Sequence, residues 1–126
     1  MPFIHIASLP FDPTLQVSAV LEDLTLDFAR GTGVAIEHVT ATWVFLPPGH
    51  YAVAGKAAST QPETSHPLLV DLLSPDFNPP PQIEKMLRVV ASSLAKRARV
   101  PIGNIFINHR VAHSGAVFDG GDIVRW

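Results

Sequence analysis

The feature that most constrains this chain is internal repetition. Laid on itself at a shift of 66 residues, the sequence keeps register through helical patterns, turns and hairpins without a gap. Gln16 falls on Gln82, Val17 on Ile83, Val20 on Met86, Leu21 on Leu87, Leu24 on Val90 and Phe28 on Leu94. Ile36 then meets Ile102, Val39 meets Ile105, Gly49 meets Gly115 and Gly55 meets Gly121. Two unrelated amphipathic helices match each other at i, i+3 and i+4, but they do not also carry the following turns in step. At 126 residues the chain is expected to be one domain made of two repeats, about 1–59 and 66–126. Residues 54–66, small and polar, read as the connector between them.

Each repeat reads as strand, helix, strand and hairpin. Residues 3–9 are a continuous apolar run broken by Pro10. Asp12-Pro13 gives a helix start, and Val17, Val20, Leu21, Leu24 and Phe28 recur at helical spacing, predicting a helix over about 13–30 that Gly31 and Gly33 can close. Residues 39–45 read as a strand ended by Pro47-Pro48-Gly49, with His50–Val53 as a hairpin strand. The pattern then repeats: a strand over 68–73, a helix behind Asn78 and three prolines with Ile83, Met86, Leu87, Val90 and Leu94 as its stripe, a strand over 105–111, and a final hairpin strand. Lys96, Arg97 and Arg99 suit the negative end of the second helix.

A strand–helix–strand crossover is right-handed and makes its two strands parallel. Two such units predict an α+β fold: duplicated β-α-β units forming a four-stranded mixed sheet with both helices on one face. Half a chain of this size is marginal as an isolated core, which favours fusion. The uncovered face of the sheet, with Val44 and Ile107 assigned to it by alternation, would be an apolar patch, which predicts a closed homo-oligomer.

Composition removes several function classes. A formal charge of -2 and no run of Lys or Arg leave no field for a nucleic-acid backbone. No stretch approaches the roughly 18 apolar residues of a membrane span, and no secretory segment is recognisable, so a cytoplasmic protein without membrane attachment is expected. The absence of cysteine excludes disulfides, thiolate nucleophiles and zinc–thiolate sites. None of the six histidines forms a tight pair on a helix face, so no metal and no cofactor is expected. Ser114-Gly115 lacks a G-x-S-x-G context, and Gly120-Gly121 is a hairpin turn, not a phosphate loop.

The chemistry-bearing feature is the start, Met1-Pro2-Phe3-Ile4-His5-Ile6. With the initiator methionine removed, Pro2 is a secondary amine at the tip of an apolar strand. A free α-amino group titrates at roughly 7.7 to 8.0, and burial lowers that value, so Pro2 can act as a proton shuttle near neutral pH. A retained Met1 would make the same nitrogen a non-basic amide.

The Met1-Pro2 start running into Ile4-His5-Ile6, the β-α-β length and the hairpin Pro48-Gly49-His50-Tyr51-Ala52-Val53-Ala54-Gly55 together resemble 4-oxalocrotonate tautomerase, of the tautomerase superfamily. The resemblance covers about residues 2–59 directly and reaches the second half through the repeat. As a whole the chain is similar to the two-unit members: fused forms of the tautomerase, malonate semialdehyde decarboxylase and cis-3-chloroacrylic acid dehalogenase. The resemblance implies a tautomerase/MIF-like fold, a homotrimer, a small-molecule substrate and Pro2 as the catalytic group of an isomerase acting on an enol or α-keto acid. Hydration, dehalogenation or decarboxylation of a small unsaturated or keto acid is the alternative on the same fold. A non-catalytic oligomeric scaffold or binding protein is the other.

Such enzymes hold a substrate carboxylate with arginine. The corresponding stretches here, Ala7-Ser8-Leu9-Pro10, Val39-Thr40-Ala41-Thr42 and Leu73-Ser74-Pro75-Asp76, contain none. This counts against dicarboxylates. His109 and Arg110, with His113 just beyond, are the candidate replacement anchor; Arg110 pairing with Asp119 or Asp122 is the competing assignment. Tyr51 takes the place of the family's aromatic wall residue, and His50 beside it is a weaker substrate-binding candidate. Pro67 precedes the second unit within the chain, so its nitrogen is a tertiary amide and one active site per chain is expected.

Overall fold

The structure, a computed structural model, describes residues 2–126; Met1, and with it the question of its removal, lies outside the described residues. The first repeat supplies β1 (Phe3–Ser8), α1 (Val17–Thr32), β2 (Thr40–Phe45) and the hairpin β3 (Tyr51–Val53) and β4 (Lys56–Ala58). The second supplies β5 (Leu68–Pro75), α2 (Pro80–Ala98), β6 (Ile105–Ala112) and the hairpin β7 (Val117–Asp119) and β8 (Asp122–Val124). The strands form one mixed sheet in the order β2-β1-β5-β6, parallel within each unit and antiparallel where β1 meets β5.

The two halves of the chain share several local geometries. A short 3₁₀ turn precedes β2 at Ile36–His38 and another precedes β6 at Ile102–Asn104. Each hairpin is closed by the same backbone bond, Gly49 N–H to Ala58 C=O and Gly115 N–H to Val124 C=O, both 2.9 Å. Both helices end in a left-handed residue, Gly33 (φ 78°) after α1 and Arg99 (φ 58°) after α2. Glycine meets that conformation freely, whereas Arg99 adopts it with a side chain present, its N–H donating to the Ala95 carbonyl.

Each helix buries one stripe on the same face of the sheet. Val20, Leu24 and Phe28 of α1 and Met86, Val90 and Leu94 of α2 pack on Ile4, Ile6, Leu68, Val70 and Leu72. The helices also meet each other. Gly31 of α1 faces Val89 so closely that an added Cβ would lie 2.7 Å from a valine methyl. Asp27 accepts hydrogen bonds from Ser93 Oγ (2.7 Å) and from Arg97 through Nε (3.0 Å) and Nη2 (3.1 Å). This forked bond from Arg97 holds the Asp27 carboxyl below the usual carboxylate range. Arg97 thus ties one helix to the other in addition to sitting at a favourable helix end.

Three local expectations are corrected. Asp12 does not cap α1; its carboxylate accepts from the Thr14 N–H (2.8 Å) and hydroxyl (2.6 Å), making a separate turn, and α1 begins at Val17. The stretch 54–66 is more than a connector, because β4 lies in it and its end is pinned: Leu9 N–H donates to Gln61 Oε1 (3.0 Å), and His66 is buried with Nε2 on the Lys56 carbonyl (3.0 Å). Ile107 pairs with buried Val70 and packs on the helix side, so the open face carries Phe106 in its place.

That open face has two characters. Val44, Ala7, Leu69 and Phe106 lie side by side across the four strands, with Val44 50% and Phe106 55% exposed. The next row is polar: Thr42 and His5 share a 2.6 Å hydrogen bond, and Asp71 and Asn108 follow. Among the described residues, no helix is long and apolar enough to cross a membrane.

Candidate functional site at Pro2

Pro2 is buried at the head of β1, and its carbonyl accepts the Thr40 N–H at 3.0 Å, fixing it to the start of β2. Strand direction decides what surrounds it. β2 runs parallel to β1 and ends beside Ser8, so the first hairpin lies at the end of β1 remote from Pro2. β5 runs antiparallel to β1, with Leu73 beside Phe3, and β6 follows β5 to that same end. The second hairpin is therefore the one that reaches Pro2.

The result is a groove of about 340 Å³. Val117, Phe118 and Asp119 of β7 form one side, and Glu37, His38 and Thr40 form another. Pro2, Phe3 and Leu73 complete it. Pro2 is buried and lines this part-apolar cavity, which has room for a small molecule against it. The contributions of β7 and of Glu37 and His38 were missed from sequence. The repeat contains the signal, since Val117 is the equivalent of Tyr51, but using it requires the antiparallel β1–β5 pairing.

The other candidates are dispersed. Tyr51 stands at the remote end, where its hydroxyl donates to the Pro67 carbonyl (2.9 Å) and its ring meets His66 edge-on at 5.0 Å. Burial raises the Tyr51 pKa, keeping it a donor. Tyr51 thus borders the head of the second unit, where no free amine exists. His50 is exposed on the same hairpin. His109 and Arg110, adjacent in β6, point to opposite faces. His109 turns to the helix side and shares a 2.7 Å hydrogen bond with buried Ser74; burial lowers its pKa and favours the neutral ring. The first repeat has the same contact in other residues, Trp43 Nε1 donating to Ser8 Oγ at 3.1 Å, which marks it as structural.

Arg110 lies on the open face, across β5 from Phe3 and level with Leu73. It pairs with Asp71 (3.6 Å), not with Asp119 or Asp122, and both side chains are well exposed. His113 pairs with Asp76 at 3.0 Å, and Asp76 also accepts from Trp126 Nε1 (2.7 Å), which together hold its carboxyl below the usual range. Arg110 alone among these shares a row with the residue after Pro2. Among the described residues, no group of three or more His, Asp or Glu is placed to hold a metal ion.

No protein-family model and no curated protein matches this sequence. Solved structures do match its shape. The fold is the one seen in solved structures of a fused 4-OT, a cis-3-chloroacrylic acid dehalogenase family member and malonate semialdehyde decarboxylase. Within it the architecture is the two-unit one: a fused 4-OT solved as a symmetric trimer superimposes with a TM-score of 0.82 at 10% identity, over 97% of this chain and 94% of that one. A member of the cis-3-chloroacrylic acid dehalogenase family matches with a TM-score of 0.79 at 14% identity, over 97% and 82% of the two chains. Malonate semialdehyde decarboxylase matches at 0.71 and 11%, over 94% and 90%.

Proposed function

We propose that this chain, with Met1 removed, is a tautomerase-type enzyme in which Pro2 takes a proton from one position of a small enol or keto compound and returns it at another. The observation that carries this is the groove beside buried Pro2, closed by the second hairpin of the same chain. A neutral proline nitrogen removes the enol hydroxyl proton, and the resulting ammonium delivers a proton to carbon. The test compares fully processed protein with protein whose intact mass shows Met1 retained. Ketonisation of an aryl enol is expected only from the former; equal rates would remove the free amine from the mechanism.

Hydration, dehalogenation or decarboxylation is the second reading, and one observation favours it. Glu37 and Asp119 border the groove with Pro2, and nearby carboxylates stabilise an ammonium, which these reactions use as an acid.

The active form is proposed to be a homotrimer, as in the fused 4-OT structures. Exposed Val44, Leu69 and Phe106 on the open sheet face supply an apolar surface for neighbouring copies. Phe106→Arg places a charge in that surface without touching the core. It is expected to shift sedimentation from trimer to monomer while far-UV circular dichroism stays unchanged. A variant that sediments like the parent would rule this face out as the interface.

A further inference from the structure

We infer that the Pro2 groove selects uncharged or amine-bearing carbonyl compounds over carboxylates. The inference rests on the assignment of Pro2 above and concerns what that proline is offered. Two carboxylates, Glu37 and Asp119, border the groove from opposite elements. Among the described residues neither is in an ion pair; the Asp119 carboxylate accepts only the neighbouring Gly120 N–H, at 2.8 Å. No lysine or arginine of the described residues lines the groove. The nearest cation by strand register, Arg110, is separated from Phe3 by β5 and engaged with Asp71 at 3.6 Å.

Within one chain, two carboxylates face at most one ammonium, that of Pro2 itself. The local balance is therefore negative in either protonation state of the proline. An entering carboxylate loses hydration, finds no guanidinium to replace it and is repelled by both acids. A ketone or aldehyde incurs none of these costs, and an amine on the ligand is attracted. Val117, Phe118, Phe3 and Leu73 give the rest of such a molecule apolar contact.

The experiment reads the groove without turnover, using covalent capture of Pro2 by two alkynones that differ in one group: 4-phenyl-3-butyn-2-one, which is neutral, and 2-oxo-4-phenyl-3-butynoate, its carboxylate counterpart. In each case the proline nitrogen pair forms a bond to the alkyne carbon remote from the carbonyl, one alkyne π bond breaks, and the N–H proton ends on the adjacent carbon. The adduct mass equals protein plus reagent. Rates are taken at about pH 8.5, where ordinary imidazoles are neutral, and normalised to free prolinamide to remove intrinsic reactivity.

The processed protein is expected to prefer the neutral reagent by about tenfold or more beyond prolinamide. The double variant Glu37→Gln, Asp119→Asn, altered only at exposed side chains, is expected to return to the prolinamide ratio. A parent protein with no preference, or a preference that survives the double variant, overturns the charge inference while leaving Pro2 reactive. Failure of both reagents to label Pro2 overturns the proline assignment instead.

Discussion

Pro2→Ala is expected to lose enol ketonisation by about 10²- to 10⁴-fold, the usual contribution of a positioned acid–base group. Alanine at this position still permits removal of Met1 and still offers an α-amine that titrates in the ordinary range. What it loses is direction. The pyrrolidine ring fixes the rotation about N–Cα and so fixes where the nitrogen pair points, whereas a primary amine on alanine rotates freely. The Pro2 carbonyl bond to the Thr40 N–H is a backbone contact and survives the change, so the strand head stays in place. The parent and variant should therefore melt within a few degrees of each other while their rates diverge. The assay uses both phenylpyruvate enol and the enol of its neutral methyl ester, so that charge selectivity is not mistaken for loss of the base. A variant within about threefold of the parent on both compounds would show that Pro2 does not transfer the proton.

The repeat made the fold readable from sequence, because it tied weak local signals into one register. The apolar stripe ending at Phe28 and the one ending at Leu94 each describe only an amphipathic helix; their common offset through Gly49/Gly115 and Gly55/Gly121 describes a duplicated unit. Side assignment within strands was less accessible. Ile105-Phe106-Ile107 is apolar at every position, so alternation gives no phase; pairing with Val70 turns Ile107 to the helices and leaves Phe106 outside. The spatial grouping of the candidate residues was hidden for a related reason. Tyr51 lies in a hairpin that looks close to Pro2 in a single unit, but the antiparallel junction of β1 and β5 exchanges the hairpins, bringing Val117 and Phe118 to Pro2 and Tyr51 to Pro67. His109 and Arg110 look like one cationic cluster in the sequence, yet strand geometry sends them to opposite faces. Asp12-Pro13 has the composition of a helix cap, and the Thr14 hydroxyl diverted the carboxylate into a turn.

Phe28→Ala carries the largest expected cost to stability, about 3–5 kcal/mol. Phe28 is fully buried on α1, among the side chains of both helices and the strands they cover. Its ring therefore joins the two repeats through their shared core. Removing it forfeits the apolar transfer energy and leaves a void that neighbours on two helices can collapse into only by shifting against the sheet. The forked Arg97–Asp27 bond and the close Gly31–Val89 approach oppose that shift, because both set the spacing between α1 and α2. Against a typical total of about 5–15 kcal/mol for a domain, the loss is large, and the melting temperature should fall by roughly 10–20 °C. Leu94 holds the equivalent place on α2 and is equally buried, so Leu94→Ala should cost about 2–5 kcal/mol on the same grounds. Urea unfolding measures both at matched protein concentration, which keeps assembly from masking the difference. If either substitution costs less than about 1 kcal/mol, far below the range for a filled core site, the repeats do not share one core through these positions. The sheet would then lack the rigid backing that fixes Pro2 against the second hairpin.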